Sequence, residues 1–289
     1  MSRPARRPIV LTILITLGLV LAAVIAWFRI PYSPLKREFS NTVEDARTAA
    51  AQRADQQVYS AADFAHLPPI VQSFVANSGY LGKPRESYFV AEFEDVTLRQ
   101  GVDARELIVD YQQYNFGGSP ARYAFIDSGL FGVPFQGFDC FDVSGASMHG
   151  VLGKAVTLFD DTSAEVEASS LVTYLGEAMF LPSVLADDQI DFEVVADNQV
   201  RGTISAYGHT VSGIFSFNAD AELTEFTTED RWLSGADGSP ERVAWSARLG
   251  DYVTSPAGIR HPSTFQAIWH LPEQDLVYFD GTFSRFAHA

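Results

Sequence analysis

A single cysteine, Cys140, stands in 289 residues, which excludes an intramolecular disulfide and any cysteine-based metal cluster. It lies between Phe138 and Phe141 in a strand-like run, the setting of a buried inert thiol. Basic residues are also scarce, 20 Lys plus Arg against 36 acids, for a formal net charge of −16. A surface of that sign repels phosphate backbones and anionic headgroups, which argues against nucleic-acid binding and against membrane docking through a basic patch. The acidity reads as solubility or adaptation to a saline habitat rather than as a cationic-ligand site.

Catalytic signatures are missing as well. There is no glycine-rich phosphate loop and no paired-histidine helix motif. The histidines His66, His149, His209, His261, His270 and His288 are scattered singly, without metal-ligand spacing. Gly145-Ala146-Ser147-Met148-His149 partly matches a nucleophile elbow, but its fifth position is His and no strand–turn–helix context surrounds it. Acids such as Asp191 and Glu193, at alternate positions, mark the solvated face of a strand. No catalytic residue, metal or cofactor is therefore expected.

What is present begins with Ile9 to Phe28, IVLTILITLGLVLAAVIAWF, twenty residues without a charge. As a helix this run spans about 30 Å, the hydrocarbon thickness. Arg3, Arg6 and Arg7 precede it, and Trp27 and Phe28 sit where an interfacial aromatic belt belongs. The length of the run and the lack of a small-x-small site at its end favour an uncleaved anchor over a cleaved signal peptide. Arg29, Lys36 and Arg37 weaken the charge bias, which still places the short N-terminus in the cytoplasm and residues 29–289 outside, on a single-pass inner-membrane protein. The expected organisation is a basic N-terminus over 1–8, an anchor over 9–28, a polar juxtamembrane helix or stalk over 29–65 and a β-rich domain over 66–289.

Pro68 and Pro69 suit a helix start, Ile70, Val71, Phe74 and Val75 form its apolar stripe, and Gly79 suits its stop. From Ser87 onward, β-branched and aromatic runs alternate with turn signals in some eleven or twelve strands, with MHGVLGKAVTLFD read as one of them. Tyr207-Gly208-His209-Thr210 places Gly first in a two-residue loop, as a type II′ hairpin requires. Successive hairpins imply an antiparallel meander. Val243, Trp245, Ala247 and Leu249 face one way, as do Phe265, Ala267, Trp269 and Leu271, so one face is apolar and must be covered. No 20–50-residue period repeats, so a propeller or solenoid is not expected. The expected fold is mainly β (α+β): a large curved antiparallel meander sheet or open barrel, with a central helix on its concave face.

That helix is the interruption around YLGEAMFLPSVL, Tyr174 to Leu185. Thr162 with Glu165 fits a capping box, and Pro182 ends the regular part. Glu177 lies at the margin of the apolar stripe. Burial there costs several kcal/mol unless the acid is paired, so an arginine partner is expected, with Arg122, Arg248 and Arg260 as candidates. The ligand-binding candidates are Tyr174, Phe180, Trp245 and Trp269 as liners, with Glu177 and Arg260 as polar contacts; each aromatic also fits an ordinary core.

HLPPIVQSFVANSGYLGKP, YLGEAMFLPSVL, TVSGIFSFNADAELTEF and the closing GIRHPSTFQAIWHLPEQDLVYFDGTFSRF occur in this order. Over roughly residues 66–286 the chain resembles a bacterial family classed only as a domain of unknown function. Trp269, Leu271, Pro272 and Tyr278 match its closing strand pair. The family is similar at fold level to lipoprotein carriers, in which a curved antiparallel sheet wraps helices around an apolar cavity. The resemblance implies a membrane-anchored extracytoplasmic domain holding a lipid or other lipophile, and carries no catalytic residues. An envelope scaffold or protein-binding module with a solid core is the second reading. An unrecognised hydrolase, needing Glu177 or Asp251 beside His261, is the third.

Overall fold

Uncharged from Ile9, the first segment folds as helix α1 (Arg6–Arg29) in the computed structural model, which describes residues 6–53, 57–99, 101–130, 132–234 and 239–289. Arg3, on the expected basic flank, lies outside the described residues. Among the described residues the helix packs against little except near its end, with Leu11 and Leu19 60% and 67% exposed. It is long and apolar enough to cross a membrane, and an N-terminal helix of this kind is compatible with an anchor or a signal sequence.

Helix α2 (Pro34–Arg53) follows, and it is not a free stalk. Leu35, Phe39 and Val43 recur every four residues and bury one stripe against Phe116, Tyr123, Phe125, Phe138 and Val151, on the convex face of the sheet. Phe39 stacks on Phe125 at 5.3 Å and meets Phe138 edge-on at 5.5 Å. Its alanine-rich sequence masked this stripe, because three apolar residues suffice when the receiving sheet is aromatic. A 3₁₀ turn (Ala61–Phe64) leads to helix α3 (Pro69–Asn77), with Pro69 at its first position and Gly79 at positive φ just beyond its end.

The first six strands run as a meander: β1 (Tyr88–Leu98), β2 (Leu107–Phe116), β3 (Ala121–Leu130), β4 (Val133–Asp142), β5 (Gly145–Leu152) and β6 (Val156–Asp161). The run expected as a single strand is thus split in two. Gly153 and Lys154, at φ +62° and +64°, turn the chain between β5 and β6. Helix α4 (Ala164–Glu177), a 3₁₀ turn (Ala178–Phe180) and helix α5 (Pro182–Ala186) come next. The cap of α4 is Ser163, whose hydroxyl accepts from the Val166 amide; this replaces the expected Thr162–Glu165 box. Pro182 does not simply end the helical region. It occupies the first turn of α5, where a missing N–H costs nothing.

The second run comprises β7 (Asp191–Ala196), β8 (Gln199–Ala206), β9 (His209–Phe217), β10 (Leu223–Thr228), β11 (Trp232–Ser234), β12 (Pro240–Arg242), β13 (Trp245–Gly250), β14 (Val253–Thr254), β15 (Arg260–His261), β16 (Thr264–His270) and β17 (Asp275–His288). The β8–β9 loop is Tyr207-Gly208, flanked by the pair Ala206 and His209, with φ of +52° and +86°. Positive φ at both positions makes it a type I′ hairpin rather than the expected type II′. The 13-stranded antiparallel sheet has the order β6-β5-β4-β3-β2-β1-β17-β16-β13-β10-β9-β8-β7. Two ribbons, β11–β12 and β14–β15, stand apart from it. The large curved meander with a central helix is as expected. The final strand joins the two runs by pairing with both β1 and β16.

The sheet curls around α4. Tyr207, at the tip of one wing, donates to the Pro120 carbonyl of the other at 2.8 Å, and its ring meets Phe141 at 5.6 Å. The packing is tight enough to require glycines. A Cβ on Gly213 would lie 2.2 Å from the Phe226 ring, and one on Gly176 of α4 would lie 2.9 Å from it. Because neighbouring strands alternate in direction, the β1–β2, β3–β4 and β5–β6 turns and the start of β17 gather at one end. Helix α1 attaches there: the Trp27 indole donates to the Gly153 carbonyl at 3.0 Å. The end where this candidate anchor attaches is the anchor end of the sheet.

Candidate functional site

Strand alternation and register decide which side chains face α4. Asn115, Gln113 and Tyr111 of β2, Arg122, Ala124 and Ile126 of β3, Phe141, Asp139 and Gly137 of β4, and Ala146, Met148 and Gly150 of β5 occupy one surface. Glu177, at the last position of α4, is buried against it at 7% exposure. Its Oε2 accepts from Asn115 Nδ2 at 2.7 Å and from Arg122 Nε at 3.1 Å. Arg122 also donates to the Tyr111 hydroxyl and to Gln113 Oε1, and Tyr111 donates to the same oxygen at 3.0 Å. Of the three candidate arginines, Arg122 is the partner. Arg248 pairs with Glu225 across strands, and Arg260 pairs with Glu222. Desolvation works against the Arg122 charge, but Tyr111, Glu177 and Asp139 outweigh it and hold its pKa above the usual arginine value.

Toward the anchor end the cover provided by α4 stops. Ile126 and Asp139 are partly exposed, and Met148 and Phe159 are 41% and 37% exposed. Desolvation raises the Asp139 pKa, with Arg122 and Arg231 acting in the opposite sense. Among the described residues no ion pair joins Asp139 to either arginine. The Arg231 guanidinium lies over Trp245 at 4.5 Å and Trp269 at 5.5 Å, and it donates to Thr173 of α4. Its Nε is buried and finds no hydrogen-bond partner among the described residues. Trp245 donates to the Tyr278 hydroxyl at 3.2 Å, and Tyr278 stacks on Trp269. Asp139 and Arg231 thus lie within electrostatic reach of each other beside α4, with Arg231 against two tryptophans that are themselves buried, at 3% and 6% exposure.

The residues expected to form one site divide into three groups. Tyr174 and Phe180 belong to the filled part of the core: the Tyr174 hydroxyl donates to the Phe116 carbonyl at 2.8 Å, and Phe180 packs on Phe89 and Phe286. Trp245 and Trp269 come together, paired directly across β13 and β16, under the Arg231 guanidinium. Arg260 stands apart, on the β14–β15 ribbon and over the Tyr252 ring. Asp139 and Arg231 escaped sequence reading, and Tyr278 enters it only as part of the closing strand pair. Alternation along FQGFDCFD places Asp139 on the face of Phe141, the one local signal available; Arg231 carries none. Two surface concavities, of about 250 and 380 Å³, lie elsewhere, beside Asp110 and beside α3.

The features weighed for catalysis do not converge. Ser147 sits mid-strand opposite Cys140, not on an elbow. Asp191 and Glu193 are exposed on an edge strand. Among the described residues no group of three metal-ligating side chains gathers. The His261 ring stacks on Phe286 at 4.5 Å, away from Glu177 and its partners.

Two buried ionisable groups tie down the segment after α4. Glu86 accepts from the Tyr59 hydroxyl at 2.9 Å and the Ser183 amide at 3.0 Å, and burial pushes its pKa up to about 7 against those bonds. His288 bonds the Phe180 carbonyl at 2.8 Å, and burial pushes its pKa down to about 4. Between the ordinary value of 4.5 and about 7 the folded state holds the Glu86 proton more tightly, so this group makes stability fall as pH rises. Between about 4 and 6.5 the unfolded state holds the His288 proton more tightly, so this group makes stability rise. The slopes oppose each other where the windows overlap. Glu86→Gln is expected to unmask stability that rises to pH 6.5, and His288→Gln stability that falls from 4.5 to 7, in urea-unfolding midpoints. Profiles unchanged from the parent in both variants would refute the assignment.

A curved antiparallel sheet around a central helix, with an N-terminal apolar helix at one end, is the class of protein that fold and site define. The chain belongs to a family of unknown function, DUF6544, which matches residues 57–281 and bears out the resemblance read from the motifs. Among solved structures it is similar to one described as an outer membrane lipoprotein-sorting protein domain, from Vibrio parahaemolyticus. Identity is 9%, the TM-score is 0.44, and the match covers 76% of this chain and 90% of the other. It is similar also to a DUF1329 family protein from Desulfovibrio piger, at 9% identity and a TM-score of 0.42 over 80% and 94% of the two chains. No curated protein matches the chain.

Proposed function

We propose that this is a single-pass, membrane-anchored extracytoplasmic protein that holds a lipid or other lipophile at the anchor end of its concave face. The observation that carries the reading is the approach of Asp139 to Arg231, beside the exposed Met148 and Phe159 and the buried pair Trp245 and Trp269, which in this reading border an apolar recess at the end where α1 attaches. An apolar concavity with a few polar groups at fixed positions is the usual form of a small-molecule site. In this reading hydrocarbon lies against the apolar walls, and Arg231 with Asp139 contacts the polar end of the molecule. The ligand site thus shifts from the α4 core, where Tyr174, Glu177 and Phe180 pack, to Trp245, Trp269 and the two charges.

Native mass spectrometry of the full chain released from its membrane in mild detergent, with lipid extraction, tests this. A stoichiometric lipophile is expected, lost in Asp139→Asn/Arg231→Met and kept in Arg260→Met. Repeated recovery of the protein with no bound lipophile overturns the proposal and leaves the solid-core scaffold reading, which the close packing around α4 favours.

A further inference from the structure

The joint between α1 and the sheet is built rather than flexible. The last carbonyls of a helix have no intrahelical donors and carry its negative dipole end. Here they are met by Lys154, a residue more than a hundred positions further along the chain. Its ammonium donates to the carbonyls of Trp27 at 3.3 Å, Phe28 at 3.2 Å, Ile30, and Tyr32 at 3.3 Å. Lys154 is 6% exposed and holds a left-handed backbone conformation, which costs free energy in a non-glycine residue and persists where the surroundings enforce it. The Phe28 ring packs on Gly153, and the Trp27 indole bonds the Gly153 carbonyl. The β5–β6 turn is therefore fixed at the level of residues 27–32, where the uncharged run ends.

The strand leaving that turn presents apolar side chains that the described residues leave exposed in part or for the most part. Val156 is 60% exposed, Leu158 52% and Phe159 37%, on a strand at the edge of the sheet. The acids of the same strand, Asp160 and Asp161, come last, away from the turn. Apolar first and acidic afterwards is the order that a lipid–water boundary selects. We propose that the β5–β6 hairpin is a membrane seat: clamped to α1 by Lys154, it places Val156 and Leu158 in the outer interface of the bilayer and so sets the orientation of the sheet toward the lipid. The occupant is the bilayer, because the patch is continuous with the helix that spans it. The inference rests on α1 crossing the membrane, and is independent of whether a lipophile fills the recess.

The test uses the full chain in phosphatidylcholine nanodiscs, in a Cys140→Ser background, with nitroxide labels on single cysteines. Val156→Cys and Leu158→Cys report the seat, Leu17→Cys the anchor, and Val194→Cys the opposite, exposed edge strand. Labels at 156 and 158 are expected to show severalfold less relaxation by an aqueous nickel chelate than the label at 194, and more by oxygen. Adding Lys154→Met should return the label at 156 toward the aqueous value, with residue 17 unchanged. Aqueous behaviour at 156 and 158 with residue 17 in the bilayer overturns the seat alone. Aqueous behaviour at residue 17 overturns the anchor and the seat together. Spin–spin broadening at 156 that survives dilution with unlabelled protein-free lipid assigns the patch to a second copy, and also overturns it.

Discussion

Arg122→Met is expected to destabilise the fold by about 3–5 kcal/mol, the usual cost of removing one member of a buried ion pair. The two side chains are only 8% and 10% exposed, so solvent screens little of the interaction. Among the described residues the variant leaves Glu177 with Asn115 as its one side-chain donor, and it strips the Tyr111 and Gln113 oxygens of a charged donor. Of a total stability of about 5–15 kcal/mol this is a large share. Glu177→Leu alone should be similarly damaging, because it strands the arginine. The double variant Arg122→Met/Glu177→Leu should recover much of the loss, since an apolar pair of similar volume carries no desolvation penalty. Urea-unfolding midpoints of the three variants decide the matter. A double variant as unstable as the sum of the singles would show that the network, and not the lone buried charge, dominates.

Phe226→Ala is expected to cost about 3–5 kcal/mol, the range for truncating a fully buried phenylalanine. Its ring is 0% exposed and packs at 4.7 Å from Phe215 and 6.3 Å from Trp245. It also lies on two glycines, Gly213 of β9 and Gly176 of α4. No side chain from either can move in to fill the hole, so the cavity stays open and α4 loses the ring that lies on Gly176. Phe226→Leu keeps most of the volume and should cost less than about 1.5 kcal/mol. The same unfolding series measures both, and equal losses for Ala and Leu would show that ring stacking, not volume, holds the helix.

Local chemistry was legible where it depends on neighbours in the chain. The uncharged helix, the Pro68-Pro69 start of α3, the meander of hairpins and the apolar face through Trp245, Ala247 and Leu249 all follow from periodicity and turn residues. Errors arose where two local solutions differ by one residue. Ser163 caps α4 instead of Thr162, and the hairpin takes Tyr207-Gly208 instead of Gly208-His209, because pairing across the sheet fixes the register and the turn accommodates it. The stripe of α2 was hidden for a different reason, since its partner lies on strands far along the chain.

From the sequence alone it follows that an acid in an apolar helix needs a partner, that one face of the strands must be covered, and that the first helix is apolar enough for a membrane. Only the tertiary structure decided which arginine answers Glu177, because Arg122 reaches it through the β2–β3 register that sets Arg122 beside Asn115. It alone brought Asp139 within electrostatic reach of Arg231, set Arg260 apart with Glu222, and placed Lys154 on the end of α1. Ion pairs, recesses and joints are made by residues tens to hundreds of positions apart. Their meeting is fixed by strand order and sheet curvature, which no local pattern encodes.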